Sequence, residues 1–456
     1  MTSHTKNRFR LIFGLVAAFW LGTGAALAAP KGATKAAETP RPFQFALQNG
    51  LQVMVLTDRR APVVTQLLWF RTGSVDDPPG LSGMAHFFEH MMFRGTKAVP
   101  GAGFAQAVTR AGGEDNAFTT PDYTMFYERV GKEHLRQMMH LEADRMRDLV
   151  LTEAAVATER DVILAERRQR IDNDPSALAE EQAAAALHLS HPYGRPTIGW
   201  AEEIRHIGRA EAADFYYRHY APNNALLIVA GDVSPEDVRA AAEAEYGPLP
   251  SRNLVARTDY AQPPRLGETR LNLPLRSVKV PAFLRLYRVP SYAEAAPGKA
   301  EALELFARML GGDSASALYR ILVLERHLAT SVAVDYDGYA RDSGTLSISA
   351  EPRPGVPLEV LERTIDETIS SFARRGPGQG DLNRTKKQMV AGVLLRRDNQ
   401  FEMASAFGRA LMIGLTAQDV QLWPARIQAV SADGVKKAAA GLSRKEAVSV
   451  LLTPGR

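Results

Sequence analysis

The sequence predicts an α+β protein of two homologous halves, each a mainly antiparallel sheet packed with helices. Three observations carry that reading. Short β-type apolar runs alternate with longer helical runs along the chain. A Pro-bearing stretch with little periodicity, 247–268, divides it. The pattern before that stretch returns faintly after it, offset by 218 residues. The 456 residues leave room for two to four domains at roughly 100–200 residues each. Hydrophobic residues are 45% and charged residues 23% of the chain, so a mainly disordered chain and a polytopic membrane protein are both excluded. The 55 basic and 51 acidic residues are intermixed, and their net charge of +4 marks no nucleic-acid partner. There is no cysteine, which excludes disulfides, thiolate catalysis and iron–sulfur clusters. Any metal must rest on His, Asp or Glu.

Taken in order, the chain opens with Lys6, Arg8 and Arg10 before an apolar run from Leu11 to Ala28 that closes on Ala26-Leu27-Ala28. This is the pattern of a cleavable signal peptide at 1–28, and it predicts export to the periplasm with no stable membrane span after cleavage. Gly14, Gly22 and Gly24 weaken the alternative of a membrane anchor. Cleavage lowers the charge from +4 to +1, so part of the basic character belongs to export. A chain without cysteine suits an oxidising compartment. Residues 29–41 are small, polar and Pro-bearing, and read as a flexible leader.

The first half is assigned to 42–246. Strands Phe43–Leu47 and Leu51–Leu56 flank Asn49-Gly50, a hairpin turn in which both central residues tolerate positive φ. Val63–Phe70 is a third strand. Gly80, Ser82 and Gly83 open a helical run ending near Gly95, with Ser82 as its N-cap. Helices are expected at Gly103–Ala111, Lys132–Leu149, Glu153–Ile171 and Pro235–Tyr246, and strands at Thr124–Val130 and Leu226–Ala230. After the linker 247–268, the second half (269–456) has strands Thr269–Leu275 and Ala282–Arg288 and a helix Lys299–Leu310. Aligning Pro79-Gly80 with Pro297-Gly298 sets Glu304, Ala307 and Arg308 opposite His86, Glu89 and His90. Whatever the two histidines do, the second half does not do it.

His86-Phe87-Phe88-Glu89-His90 is the sharpest chemical feature. On a helix, positions i and i+4 share a face, so both imidazoles reach one ion. Glu89 lies about 100° back from His90, at the edge of that face, where it can touch a water without displacing the ligands. Two His and a carboxylate suit zinc with one open position, and the order is the inverted H-x-x-E-H motif. For the third ligand, the helix Glu153–Ile171 offers Glu159 and Glu166, nearly two turns apart and so on one face. The spacing alone leaves both open.

His86–His90 followed by Glu159 and Glu166 resembles the M16 metallopeptidase family, and the stretch from Thr158 to Glu166 is similar to that family's second zinc-site helix. The resemblance covers roughly 42–456 and is most specific over 79–170. It implies one Zn2+ per chain held by His86, His90 and Glu166, with Glu89 as general base and Glu159 steadying a ligand. It implies that Asn116, Ala117 and Phe118 lie on an edge strand to which peptide substrates add. His191-Pro192-Tyr193-Gly194 also looks like a family element, with His191 read as structural. The implied activity is a zinc endopeptidase acting on unfolded or short peptides. One departure stands out. Where active members carry an Arg and, seven residues later, a Tyr, this chain has Val323 and Thr330, and Arg326 is three residues out of register. The resemblance therefore implies a heterodimer in which a homologous partner chain supplies both groups. The alternative is a zinc-binding scaffold or assembly subunit with little peptidase activity of its own.

Overall fold

The structure is a computed structural model and describes residues 42–455. The expected signal peptide and the whole of the leader, 1–41, lie outside the described residues. Six strands build the first sheet: β1 (Phe43–Ala46), β2 (Gln52–Thr57), β3 (Val63–Phe70), β4 (Glu114–Thr119), β5 (Thr124–Gly131) and β6 (Ala225–Gly231). Five build the second: β7 (Thr269–Leu275), β8 (Ala282–Val289), β9 (Ala329–Asp337), β10 (Gly344–Pro352) and β11 (Ala447–Pro454). The strand orders are β1-β2-β6-β3-β5-β4 and β7-β11-β8-β10-β9. Without β1 the two orders are the same. Each sheet has one parallel pair, β2 with β6 and β7 with β11, in an otherwise antiparallel ladder. Strands β7 and β8 begin 217 and 219 residues after β2 and β3, so the faint Pro-Gly repeat reflects a duplicated topology.

The first-half helices are α1 (Met84–Met91), α2 (Gly103–Arg110), α3 (Leu135–Asp148), α4 (Glu153–Arg167), α5 (Pro175–Leu187), α6 (Ala201–Ile204), α7 (Arg209–His219) and α8 (Pro235–Glu245). The second-half helices are α9 (Lys299–Gly311), α10 (Leu358–Arg375), α11 (Gln379–Arg396), α12 (Gln400–Met412), α13 (Ala417–Ala429) and α14 (Ala432–Ala440). None of them is long and apolar enough to cross a membrane.

Alternation along the strands gives each sheet two apolar faces. Val64, Leu68 and Phe70 of β3 pack on Phe87 and Phe88 of α1. The opposite face, with Leu67 and Trp69, packs on Met403, Ala404 and Phe407 of α12, a helix from the second half. The exchange is reciprocal: Leu284, Leu286 and Val450 of the second sheet pack on Ala179, Ala183 and Leu187 of α5, from the first half. The halves are therefore interlocked. At the α12 crossing only glycine fits, because a Cβ at Gly408 would sit 2.2 Å from the Trp69 ring. A buried polar cluster adds to the junction. Tyr193 Oη donates to both oxygens of Asp122 at 2.8 and 2.6 Å, Asp122 accepts from Arg341 N at 3.0 Å, and His191 Nε2 meets Asp342 at 2.9 Å.

Three local expectations are corrected. In the first hairpin only Gly50 takes positive φ (88°), and Asn49 does not. Gly50 N donates to Leu47 O and Leu47 N to Leu51 O, so the turn is a three-residue loop closed by a left-handed glycine. Ser82 does not cap α1: the N-cap is Gly83, and Ser82 Oγ accepts from Trp200 N instead. The helix expected to reach Ile171 ends at Arg167 and continues as a wider π turn, Arg168–Asp172. Residues 250–266 form neither helix nor strand.

Candidate metal centre

Helix α1 is seated from its N-terminus. Gly83 supplies the left-handed entry (φ 90°), and the buried Asp77 carboxylate accepts from Gly83 N at 2.7 Å and Ala85 N at 2.8 Å. Asp77 thus satisfies backbone donors that a helix start leaves orphaned. Met84, Ala85, Phe87, Phe88 and Met91 are buried in the core. With that face committed, His86 and His90 stack on another, their ring centroids 4.7 Å apart. Helix α4 crosses beside them. Thr152 caps it by accepting from Ala155 N, and Val156 and Ile163 anchor it in the same core.

This packing brings Glu166 to the histidines. Its Oε2 lies 3.1 Å from His90 Nε2 and 3.9 Å from His86 Nε2. One ligand atom from each of the three side chains falls within 4.8 Å of the others, the one such His/Asp/Glu group among the described residues. Glu159, 1% exposed, meets His90 Nδ1 at 2.8 Å through Oε1 and accepts from Arg94 Nε through Oε2. That carboxylate holds a proton on Nδ1, so that Nε2 is the nitrogen a metal would take once His90 is neutral. Arg170 holds the other Glu166 oxygen at 2.7 Å.

The two imidazoles sit in opposite electrostatic settings. Burial, reinforced by the charge of His90, pushes the His86 pKa down to about 3. Burial also opposes protonation of His90, but its contacts with Glu159 and Glu166 outweigh it and raise the pKa to about 9. For Glu166, burial is outweighed by His90, His86 and Arg170, which hold its carboxyl down near 2. Glu166 Oε2 and His86 Nδ1 are nonetheless buried without a hydrogen-bond partner. Without a metal, the protonated His90 is the counter-charge of this buried carboxylate oxygen; a metal cation would take that place as His90 gives up its Nε2 proton. Two nitrogens and one carboxylate oxygen fit zinc.

Glu89 stands beside this triad. Its Oε2 accepts from Thr119 Oγ1 at 2.6 Å, and burial raises its pKa against that hydrogen bond. Thr119 ends β4, which carries Asn116, Ala117 and Phe118. β4 is the terminal strand of its sheet, paired only with β5. Asn116 Oδ1 accepts from Ala117 N, and Phe118 packs edge-on against Trp69. In the second half, Val323 is buried in the core, whereas Thr330 is exposed on the edge strand β9 with Oγ1 3.4 Å from Glu351 O. Arg326 is exposed and pairs with Glu367 at 3.7 Å.

Four residues of the site went unread in the sequence. Arg94 and Arg170 each follow a site residue by four positions, a helical spacing that could have flagged them. Thr119 and Asp77 reach the site through the fold and carry no local mark.

Residues 52–200 match the family described as Insulinase (Peptidase family M16), and residues 206–389 match the Peptidase M16 inactive domain. An uncharacterised zinc protease of Mycobacterium tuberculosis is 31% identical over 419 residues, 90% of this chain and 93% of that protein. The zinc protease PqqE of Helicobacter pylori is 27% identical over 399 residues, 86% and 88% of the two chains. Among solved structures, a protease from Helicobacter pylori superposes with a TM-score of 0.85 at 24% identity, over 91% of this chain and 100% of that one. The periplasmic protease PqqL from Escherichia coli superposes with a TM-score of 0.76 at 20% identity, over 92% of this chain but 48% of that one.

Proposed function

Since the chain belongs to peptidase family M16, the insulinase family, we propose that it is a zinc-dependent endopeptidase subunit that hydrolyses unfolded or short peptides. The observation that carries the reading is the convergence of His86, His90 and Glu166 within 4.8 Å, with Glu166 Oε2 buried and facing both imidazole Nε2 atoms. One Zn2+ held there would lower the pKa of a water and polarise a scissile carbonyl. Glu89 is the general base: its carboxylate takes the proton of the attacking water and returns it to the leaving amine. Thr119 fixes that carboxylate at the end of β4, so a peptide adding along β4 through Asn116, Ala117 and Phe118 would pass Glu89 in extended form. In this reading residues 42–246 are the catalytic half, 247–268 the linker and 269–456 a homologous half without metal. Residues 1–28 direct the chain to the periplasm.

A second reading, a zinc-binding scaffold, is favoured by Val323 and Thr330, which offer no donor for a developing oxyanion. We take the intact Glu89 as evidence for catalysis, with a homologous partner supplying the missing groups. The length relation to PqqL supports this, since one such chain spans about half of that protease. The test is hydrolysis of an unstructured peptide by the purified chain, alone and with an exported homologue carrying the Arg/Tyr pair. Hydrolysis by neither preparation leaves the scaffold reading.

A further inference from the structure

A cavity of about 420 Å3 opens where the two halves and the connecting stretch meet, and its lining includes none of the metal triad. One wall is cationic. Arg71 follows β3, Arg218 and His219 end α7, Arg257 belongs to the connecting stretch, and Arg341 lies between β9 and β10. Asp76 is the only carboxylate in the lining, and Arg257 already engages both its oxygens, at 2.9 and 2.5 Å. Arg218 pairs with Asp214. Arg341 uses Nη2 on Asp259 at 2.5 Å, but its Nη1 is buried with no hydrogen-bond partner. Arg71 donates to the neutral Gln52 Oε1 at 2.5 Å and has no carboxylate partner among the described residues. Burial, with Arg257 nearby, lowers the Arg71 pKa, the direction expected of a cation lacking its counter-charge. The rest of the lining is largely apolar: Leu254 and Val255, 37% and 55% exposed, and Leu411, Met412 and Ile413 at the end of α12.

We propose that this cavity binds a small organic anion, a carboxylate on an apolar body, and that the bound anion ties the two halves together. Guanidinium groups match a carboxylate through paired N–H donors, and Arg71 and Arg341 each have that capacity unspent. The volume falls in the range of small-molecule sites, which combine apolar walls with a few convergent polar groups. Arg71 comes from the first half and Arg341 from the second, and both line the cavity, so a carboxylate that engages the two would bridge the interface. The site is independent of zinc and of hydrolysis.

The test is calorimetric titration of the full chain with N-acetyl-L-leucine, its neutral amide N-acetyl-L-leucinamide, and inorganic phosphate, alongside thermal unfolding. The acid is expected to bind at least about tenfold more tightly than the amide and to raise the unfolding midpoint. Arg71→Gln and Arg341→Gln are each expected to weaken the acid at least about tenfold. Arg71→Gln should also raise the midpoint of the unliganded protein, because it removes a partly desolvated, unneutralised charge. Equal affinity for acid and amide, absence of binding, or phosphate binding without the acid overturns the assignment. So does a lower unliganded midpoint in Arg71→Gln, which would show that this cation is already compensated. Arg341, with an exposed carboxylate partner, provides the second variant should Arg71→Gln fold poorly.

Discussion

At the triad, each residue's role follows from what engages its remaining polar atoms. Glu89 is held by Thr119 and is not one of the three converging side chains. Glu89→Gln should therefore retain zinc, read by metal analysis, while peptide hydrolysis falls by about 10²–10⁴-fold, the usual worth of a general base. Loss of metal in that variant would make Glu89 a ligand. His86→Ala or His90→Ala should strip the zinc, and Glu166→Gln should lower occupancy strongly. Glu159→Gln, which keeps an acceptor for His90 Nδ1–H but removes its charge, should weaken zinc by about 10–100-fold. Equal occupancy in wild type and Glu166→Gln would send the search for a third ligand elsewhere. The histidine pair was legible because helical spacing encodes a shared face. The choice between Glu159 and Glu166 was not legible from spacing, since two carboxylates seven residues apart face the same way, and it rested on the family resemblance. Only the depth at which α4 crosses α1 separates them.

The elements are held by contacts that local sequence hides. Strands were legible from their alternation, and β3 and β7 fall where the pattern placed them. The cap of α1 was misread because a nearby serine is the usual cap, whereas here Asp77 reaches the same amides from six residues upstream. Asp77→Ala should cost about 0.5–2 kcal/mol in denaturant unfolding, the range for a lost N-cap. It should also weaken zinc binding, since α1 carries both histidines; unchanged zinc affinity would show that helix packing alone positions them. The exchange of α5 and α12 was invisible for another reason. Their apolar stripes announce burial but not the sheet that buries them. Gly408 is the sharpest point of that exchange, and Gly408→Ala forces a methyl into the Trp69 ring. Overpacking of this kind costs about 1–3 kcal/mol. A wild-type unfolding midpoint in Gly408→Ala would mean that α12 can lift from the first sheet at little cost.

For the whole molecule, the interlock makes the two halves one cooperative body, and part of its stability depends on pH. The His191 hydrogen bond, working against burial, lowers the Asp342 pKa below its ordinary value of 3.8. A depressed carboxylate contributes stability that is present above the unfolded pKa and lost as pH falls through the folded one. Asp342→Asn should therefore melt below wild type at pH 7, with the gap closing below about pH 4; a gap independent of pH would assign the contact to shape alone. The largest prediction concerns a second chain. The sheets repeat one topology, yet only the first half carries the triad, and in the second Val323 is sealed in the core where an arginine would need solvent or a partner. Missing oxyanion donors cost a factor on the order of 10²–10³ in rate. Homologous chains can pair about a pseudo-two-fold axis, and the proposed partner would complete the site in that way. The isolated chain should then fold and bind zinc but turn over an unstructured peptide at least about 10²-fold more slowly than its mixture with an exported homologue that keeps the Arg/Tyr pair. Val323→Arg with Thr330→Tyr should not rescue the isolated chain, because a guanidinium at the buried Val323 position would be sealed in the core. Full turnover by the rigorously purified chain, abolished by Glu89→Gln, would sink the shared-site arrangement while leaving the zinc chemistry standing, and would place the oxyanion donors on residues of this chain other than Val323 and Thr330.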